Sequence, residues 1–384
     1  MGSNVWEKQK IGEIALINMG QSPESKYYNN ERIGLPFLQG NRTFGFKYPT
    51  YDTFCSSGSK FADPNDILIS VRAPVGDLNI AKERICIGRG LSSLKMKNGN
   101  YEYLFYLLKA NIQELINRES GTVFGSINKD DIYNLEVIIA KSDDDQRRIA
   151  DILSALDDKI ELNRQTNATL EAIAQAIFKE WFVDFNFPGA TGEMVESELG
   201  MIPKGWRVGK LEEIITNFDR KRVPLSSRER ENRKGVFPYY GAASILDYVD
   251  DYLFDGVYLL MGEDGTVITE DGRPILQYVS GKFWVNNHTH VLQGKKPFST
   301  EYVLLQLKNT NVKHIVTGAV QPKINQGNMN ELPVVIPDEF TLLSFHDTIT
   351  PIFSIILDTE QETSTLTGIR DNLLPKLMNG EIEV

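Results

Sequence analysis

The chain of 384 residues has only two cysteines, Cys55 and Cys86, and four histidines. Two cysteines are too few for a disulfide framework or a cysteine-based zinc site, and their scarcity is typical of proteins from a reducing cytosol. The sequence also lacks an uninterrupted apolar run long enough to span a membrane, and it lacks the apolar segment of a signal peptide. We therefore expect a soluble, cytoplasmic protein that makes no contact with a membrane.

Motifs for catalysis are missing as well. The sequence has no Asn/Asp-Pro-Pro-Tyr/Phe motif of a methyltransferase, no Walker motifs and no clear nuclease cluster. His288 and His290 could begin a metal site, but His314 and His346 are the only other histidines, which favours a structural or DNA-contacting role. The glycine-rich segment 262–265 lacks the lysine and helix of a phosphate-binding loop. We predict a non-catalytic chain without a metal or cofactor of its own.

The stretch 143–182 contains neither glycine nor proline and predicts one long helix. Its apolar residues recur at alternating spacings of four and three, which is typical of a coiled-coil seam that faces a partner helix. At about 1.5 Å per residue, the helix would be roughly 60 Å long. The predicted seam consists of Ile149, Leu153, Leu156, Ile160, Asn163, Asn167, Leu170, Ala174 and Ile177.

A second copy of this seam lies 196 residues further along the chain. The two copies differ in character at one position, where Ala174 is matched by Arg370, and Pro351 predicts a kink or a lost hydrogen bond in the second helix. Two matching seams predict an antiparallel pair whose central polar residues fix the register. The second seam consists of Phe345, Ile349, Ile352, Ile356, Thr359, Thr363, Leu366, Arg370 and Leu373.

The larger blocks beside these helices also repeat. The W-x₄-[IL]-x-E-I opening at Trp6 recurs at Trp206, and the loop that begins at Gly121 recurs at Gly318. Short β-rich runs alternate with turns, which indicates an α+β (mixed α/β) fold rather than a βαβ series. We therefore predict two globular domains, related by an internal pseudo-two-fold repeat and separated by two long antiparallel coiled-coil helices.

Composition predicts the boundaries of this arrangement. Between the first helix and the second block, the glycine- and proline-rich segment is typical of an extended linker. The predicted parts are a first target-recognition domain at 1–140, a central helical spacer at 141–185, the linker at 186–205, a second target-recognition domain at 206–337 and a C-terminal helical spacer at 338–384.

The net charge of −11 is unfavourable for a nucleic-acid-binding protein, but it is unevenly distributed. Segments 141–200 and 338–384 each carry −7, whereas 1–140 and 201–337 carry +1 and +2. The acidic helices should avoid phosphate, while the near-neutral blocks are free to present basic surfaces. The charge distribution therefore permits DNA binding by the two blocks.

Basic and aromatic residues are interleaved in the middle of each block, a pattern that suits contacts with phosphates and base edges. Solvated charged loops would produce the same pattern, since acidic residues partly offset the basic ones. The candidate DNA-contacting residues are Arg42, Lys47, Arg72, Ser92, Ser93, Ser126 and Lys129 in the first domain, and Lys221, Arg222, Arg273, Asn287, His288, Gln321 and Lys323 in the second.

Five segments carry a resemblance to a known family. They are AQAIFKEWFVDF at 174–185, ELGMIPKGW at 198–206, FPYYG at 237–241, NNHTHVL at 286–292 and LLPKLMNGE at 373–381. With the double repeat, they resemble the specificity subunit of type I restriction–modification enzymes, the HsdS family. The resemblance covers almost the whole chain, whereas the centres of the two blocks match no pattern, as the family implies for surfaces that read different sequences.

The resemblance implies two target-recognition domains, each of which reads one half of a bipartite site in double-stranded DNA. It implies helices that set the spacing of the two halves and dock two methyltransferase subunits, which bind S-adenosylmethionine and methylate adenine. Motor–nuclease subunits that use Mg and ATP would complete the restriction enzyme. Two alternatives stay open from the residues alone: an assembly scaffold that reads no sequence, and a specificity subunit of a related system in which methylase and nuclease share one chain.

Overall fold

The computed structural model describes residues 5–118, 125–318 and 320–384. The chain divides into two compact units, of which unit 1 comprises Met1–Gln165 and Glu360–Val384 and unit 2 comprises Thr166–Thr359. Each unit therefore holds one half of each long helix, so the predicted limits of the two recognition domains, at 140 and 337, remain a prediction. Residues 121–124 and 319, which belong to the repeated loop, lie outside the described residues.

In unit 1, an antiparallel four-stranded sheet has the order β2-β10-β7-β8, and a five-stranded sheet has the order β3-β5-β4-β9-β6 with β4 parallel to β9. Helix α2 covers the first sheet, and its apolar residues complete a buried core with those of the strands. The elements are β1 (Trp6–Lys10), α1 (Ile11–Ile14), β2 (Ala15–Met19), β3 (Tyr28–Asn29), β4 (Leu35–Leu38), β5 (Phe54–Cys55), β6 (Phe61–Ala62), β7 (Ile67–Ser70), β8 (Leu78–Ile80), β9 (Ile85–Ile87), β10 (Leu91–Met96), α2 (Tyr101–Ile116), α3 (Lys129–Tyr133), β11 (Glu136–Ala140) and the first part of α4 (Asp143–Phe182).

Unit 2 repeats this plan. Its sheets have the orders β15-β22-β19-β20 and β17-β16-β21-β18, and β16 runs parallel to β21. The elements are β12 (Met194–Ser197), β13 (Gly200–Pro203), β14 (Arg207–Lys210), α5 (Leu211–Ile214), β15 (Ile215–Asn217), α6 (Ser227–Asn232), β16 (Lys234–Tyr240), β17 (Ile245–Val249), β18 (Phe254–Asp255), β19 (Tyr258–Gly262), β20 (Leu276–Val279), β21 (Lys282–Val285), β22 (Thr289–Gly294), α7 (Thr300–Lys308), α8 (Gln326–Asn330), β23 (Pro333–Ile336) and the first part of α9 (Glu339–Met378).

The matching sheet orders confirm the predicted α+β fold with an internal repeat. In each unit, the strand that follows the short opening helix lies at one edge of the four-stranded sheet, and one helix packs beside that sheet. An opening strand pairs with the strand that precedes the long helix, β1 with β11 and β14 with β23. The two halves of the chain therefore build the same scaffold.

Both long helices occur as predicted. The Ser142 hydroxyl accepts a hydrogen bond from the Asp145 N–H at 3.3 Å, which caps the N-terminus of α4. Helix α9 runs without interruption through Pro351, so the expected disturbance there does not end the helix. Every predicted seam residue is buried or half-buried.

The polar centre of the seam is confirmed as well. In unit 1, Asn163 Nδ2 donates to Thr363 Oγ1 at 3.3 Å. In unit 2, the Thr359 hydroxyl donates to Asn167 Oδ1. Residue numbers fall along α9 as they rise along α4, so the helix segments are antiparallel within each unit.

The prediction of an extended linker at 186–205 is wrong. Strands β12 and β13 form an antiparallel hairpin in this segment, and Phe187 stacks on Trp206 with ring centroids 4.9 Å apart. Gly200, with φ of +94°, supplies the left-handed conformation at the start of β13. Its glycines and prolines therefore serve turns of an ordered element, which the composition alone did not distinguish from a flexible chain.

Among the described residues, one helix, α9, is long and apolar enough to cross a membrane by length and composition alone. Its apolar residues have partners in the structure, since Phe345, Ile349, Phe353 and Ile356 are buried in the core of unit 2. The helical seam therefore accounts for its apolar composition.

Candidate nucleic-acid interface

One edge of the four-stranded sheet of unit 2 gathers residues that are far apart in the sequence. Strand β22 lies between β15 and β19, and its first residue, Thr289, pairs with the end of β19, while Leu292 pairs with the end of β15. The residues that follow β15 and β19 therefore meet those that open β22. This edge carries Asp219, Arg222, Glu263, Asp264, His288, His290 and, from the loop before α8, Lys323.

A buried Asp219–His290 pair forms the base of this cluster. The Asp219 carboxylate accepts hydrogen bonds from His290 Nδ1 at 2.6 Å and from the Val291 N–H at 2.8 Å. Although burial opposes the charge of Asp219, these hydrogen bonds prevail and lower the pKa of the carboxyl group. His290 Nε2 lies 2.8 Å from the carbonyl oxygen of Ile324. Both ring nitrogens of the buried His290 therefore lie within hydrogen-bond distance of oxygen atoms.

Arg222 and Lys323 place two positive charges beside the carboxylates of this cluster. Arg222 Nη1 donates to Glu263 at 2.7 Å and to the carbonyl oxygen of Thr289 at 2.7 Å. Lys323 Nζ lies 3.3 Å from both Glu263 and Asp264. Burial disfavours the charge of Lys323, but these two carboxylates outweigh it and raise the pKa of the ammonium group. We refer to the three carboxylates of Asp219, Glu263 and Asp264, together with Arg222, His290 and Lys323, as the charge network.

The charge network does not have the character of a metal site. Asp219, Glu263 and His290 offer ligand atoms that lie within 4.8 Å of one another. A cation would have to displace the Arg222 guanidinium from Glu263 and break the hydrogen bond between Asp219 and His290. The donor set therefore fits an ion-pair network better than a cation.

Exposed residues surround the charge network. Asn287 and His288 are exposed in the turn before β22, and His288 Nδ1 lies 3.3 Å from Asp264. Lys221 is exposed, with its ammonium group 5.1 Å from the centre of the Phe218 ring, and Gln321 is exposed two residues before Lys323. The structure thus brings together five of the seven predicted residues of the second domain, namely Arg222, Asn287, His288, Gln321 and Lys323, and places Lys221 on the neighbouring loop.

Arg273 is the seventh predicted residue, and it lies apart from this cluster. Its Nη1 donates to the carbonyl oxygen of Lys308, and its Nε lies 2.8 Å from Asp271. Arg273 therefore binds the C-terminal end of α7 in the structure, and a DNA contact from it stays a prediction.

Unit 1 presents different side chains at the equivalent edge. Arg72 forms an isolated bridge with Ser126, as Asp264 does with Lys323 in unit 2. Ser92 is the second residue of β10, as His290 is of β22, but its hydroxyl donates to the carbonyl oxygen of Asn18 at 3.2 Å. The same edge is therefore built without a buried histidine in unit 1.

A cavity of about 520 Å³ opens elsewhere on unit 1. Arg42 lines it and holds both carboxylate oxygens of Asp52, at 2.9 and 2.7 Å. The Ser22 hydroxyl donates to Gln39 Oε1 at 2.9 Å, which orients the side-chain amide, and Arg89 lies at the same cavity. Guanidinium and amide groups are those that read guanine and adenine edges. The sequence interpretation included Arg42 but missed Gln39 and Arg89, because nothing in their local pattern marks them.

Burial corrects three of the predicted contacts. Lys47 is 3% exposed, and its ammonium group lies 2.8 Å from Asp158 and 3.6 Å from Glu102. Ser92 and Ser93 are 0% and 2% exposed within β10. These side chains cannot reach a duplex from the interior, and sequence polarity alone did not reveal their burial. Arg72 and Lys129 are exposed, and Ser126 is half-buried, so their contacts stay predictions.

Comparison with known proteins identifies the family. The model of the type I restriction modification DNA specificity domain matches residues 4–172 and 203–341. The MjaIX specificity subunit of a type I restriction enzyme from Methanocaldococcus jannaschii is 27% identical, over 99% of this chain and 94% of that protein. The HindI specificity subunit from Haemophilus influenzae is 25% identical, over 73% of this chain and 77% of that protein.

A solved structure shares the fold. The crystal structure of the type I restriction–modification S subunit from M. genitalium superposes with a TM-score of 0.61 at 18% identity, and the match covers 98% of this chain and 97% of that one. The chain belongs to the type I restriction–modification DNA specificity family. It is a DNA-recognition subunit of such a system, as its motifs predicted.

Proposed function

We propose that the chain is non-catalytic and that each unit reads one half of a bipartite target. One observation carries this proposal: two copies of one scaffold present different chemistry at the same sheet edge. Unit 2 carries the charge network, whereas the residues of unit 1 at the positions of Asp264, His290 and Lys323 are Arg72, Ser92 and Ser126. Reading two different half-sequences requires this combination of a repeated frame and unlike side chains.

The enzymatic partners are part of the same proposal. Two methyltransferase subunits would bind S-adenosylmethionine and transfer its methyl group to adenine within the target. Motor–nuclease subunits would supply restriction with Mg and ATP, and the complex would act on DNA in the cytoplasm. The names of the M. jannaschii and H. influenzae relatives, which are type I restriction enzyme subunits, support this assignment. The chain's own residues would contribute DNA binding and the positioning of the partners.

A genome-wide methylation map would test the proposal. The chain is expressed with the methyltransferase encoded beside it, and adenine methylation is mapped in the host. We expect a bipartite motif, one half of which changes when residues 206–337 are exchanged for those of a relative while the other half is retained. A stable complex that produces no new methylated motif would overturn the proposal and favour the assembly scaffold.

Lys221, which is exposed, and Lys47, which is buried, allow a matched test of DNA binding. Both substitutions are measured on DNA that contains the mapped motif. Lys221→Ala should weaken binding and reduce the slope of log affinity against log salt by about one, because an exposed ammonium group that meets phosphate displaces a counterion. Lys47→Ala should leave that slope unchanged and lower the thermal midpoint, because Glu102 and Asp158 lose their shared cation. Fluorescence anisotropy at several salt concentrations measures the slope. An unchanged slope for Lys221→Ala would remove its loop from the interface.

A further inference from the structure

The seams of α4 and α9 differ in character at one pair of equivalent positions, Ala174 and Arg370, which are 196 residues apart. The residue that contacts Arg370 differs in the same way. In unit 1 it is Asp157 on α4, and the same displacement from Asp157 leads to Phe353 on α9. The ion pair of Asp157 and Arg370 in unit 1 therefore corresponds in position to two apolar residues, the large Phe353 and the small Ala174, in unit 2.

The ionic pair of unit 1 is buried. Arg370 Nη1 lies 2.7 Å from Asp157 Oδ1, and the two side chains are 8% and 2% exposed. The Tyr106 hydroxyl from α2 donates to the other carboxylate oxygen at 2.9 Å. Burial disfavours the charge of Arg370, yet its hydrogen bonds to Asp157 and Asp371 prevail and raise the pKa of the guanidinium. The Asp157 carboxylate therefore bonds both to Arg370 of α9 and to Tyr106 of α2.

Unit 2 builds the same place from apolar side chains. Ala174 and Phe353 are buried in one core cluster. Leu305, the sixth residue of α7 as Tyr106 is of α2, is buried in that cluster too. The three polar groups of unit 1 therefore have three apolar counterparts in unit 2.

We propose that the Asp157–Arg370 pair makes the first half of α4 accept the last half of α9 and reject a second copy of α4. Because the rest of the seam is repeated, a second α4 could lie antiparallel on the first in the same register. Asp157 of each copy would then face Ala174 of the other, and each buried carboxylate would lose its guanidinium at 2.7 Å and keep only the Tyr106 hydroxyl and the Lys109 ammonium group, 3.7 Å away, which is unfavourable. Two copies of α9 would likewise place each Arg370 against Phe353.

The polar centre of the seam does not discriminate between these pairings. Asn163, which bonds Thr363 in the native pair, would meet Asn167 in a pair of α4 helices, and two amides can hydrogen-bond to each other. Lys159 and Asn163 also bond Glu362 of α9, at 3.0 and 2.8 Å. Lys159 and Glu362 are each 43% exposed and such pairs contribute little, so most of the rejection of self-pairing rests on the buried Asp157–Arg370 pair. A buried polar residue that selects partner and register at some cost in stability is an established device of coiled coils.

Disulfide trapping in the full chain tests this proposal. Cysteines at Asn163 and Asn167 lie on one helix, so they report an intermolecular bond when α4 pairs with a second α4. Asn163→Cys with Thr363→Cys traps the native pair within one chain and serves as the positive control. Each chain is unfolded, refolded at several concentrations and oxidised, and disulfide-linked dimers are quantified by non-reducing electrophoresis.

In the background with Asp157→Phe and Arg370→Ala, both pairings become apolar and compatible. We expect the Asn163/Asn167 reporter to form roughly tenfold more linked dimer there than in the unaltered background. The exchanged pair, Asp157→Arg with Arg370→Asp, keeps a salt bridge within the chain and should suppress the dimer again. Equal dimer in all backgrounds, or none in the apolar background, would overturn the proposal. Thermal unfolding of each variant confirms that the comparison is made between folded chains.

Discussion

Replacing Asp219 with alanine is expected to lower the free energy of unfolding by about 3–5 kcal/mol, because it removes a carboxylate that several buried donors of unit 2 share. His290, which is 0% exposed, would lose its partner at 2.6 Å, and the Val291 N–H would lose its acceptor. Arg222, whose guanidinium lies 3.6 Å from Asp219, would keep Glu263 and the carbonyl oxygen of Thr289. Urea unfolding followed by tryptophan fluorescence measures the loss.

Asp271→Ala is the matched control, since Asp271 pairs with Arg273 at the surface and its side chain is 62% exposed. Surface ion pairs contribute little to stability, so the control should change the unfolding midpoint only slightly. Equal effects of the two substitutions would show that the charge network does not stabilise unit 2.

The same carboxylate predicts a pH dependence. The folded pKa of Asp219 is lowered, so the stability that it provides is complete above the unfolded value of about 3.9. That contribution is lost as the pH falls through the folded pKa. The unaltered chain should therefore lose stability below about pH 4, while Asp219→Asn should lack this part of the acid dependence. Urea titrations between neutral and acidic pH would measure the difference, and parallel acid profiles would contradict the prediction.

The two long helices could be predicted, the first of them to its last residue, because their signals are local and repeated. The stretch from Asp143 to Phe182 is capped by Ser142 and has an acidic first turn and a periodic seam. The second helix was recognised by the same seam at a constant displacement. The repeated motifs also predicted the common scaffold, since the same pattern of apolar residues buries the same face of a helix or strand in both halves.

The charge network could not be predicted, because a sheet edge assembles it from distant segments. A prediction of DNA contacts from basic residues includes Arg222 and Lys323 but not the carboxylates that bind them, Asp219, Glu263 and Asp264. The segment 262–265 was noted for its glycines alone. The prediction that Lys47 contacts DNA was wrong for a related reason. Its charge is visible in the sequence, while its burial against Asp158 depends on how the first domain packs on α4.

Unit 2 should depend on the aromatic packing between α4, α7 and α9, and Phe345→Ala tests this. Phe345 is 1% exposed, and its ring centroid lies 4.8 Å from that of Phe182 and 5.6 Å from that of Trp181. Removing a buried phenylalanine costs about 3–5 kcal/mol, through the lost transfer free energy and the cavity that remains. Urea unfolding at low and high salt measures this loss.

Phe340→Ala is the control on the same helix, since Phe340 is 74% exposed and should contribute little. We expect the loss for Phe345→Ala to be the same at both salt concentrations, because apolar contacts are not screened by ions. A loss similar to that of Phe340→Ala would contradict the assignment of Phe345 to the core. Since Phe178 and Tyr302 also pack against Phe345, a large loss would show that α4, α7 and α9 are joined in unit 2 through one aromatic cluster.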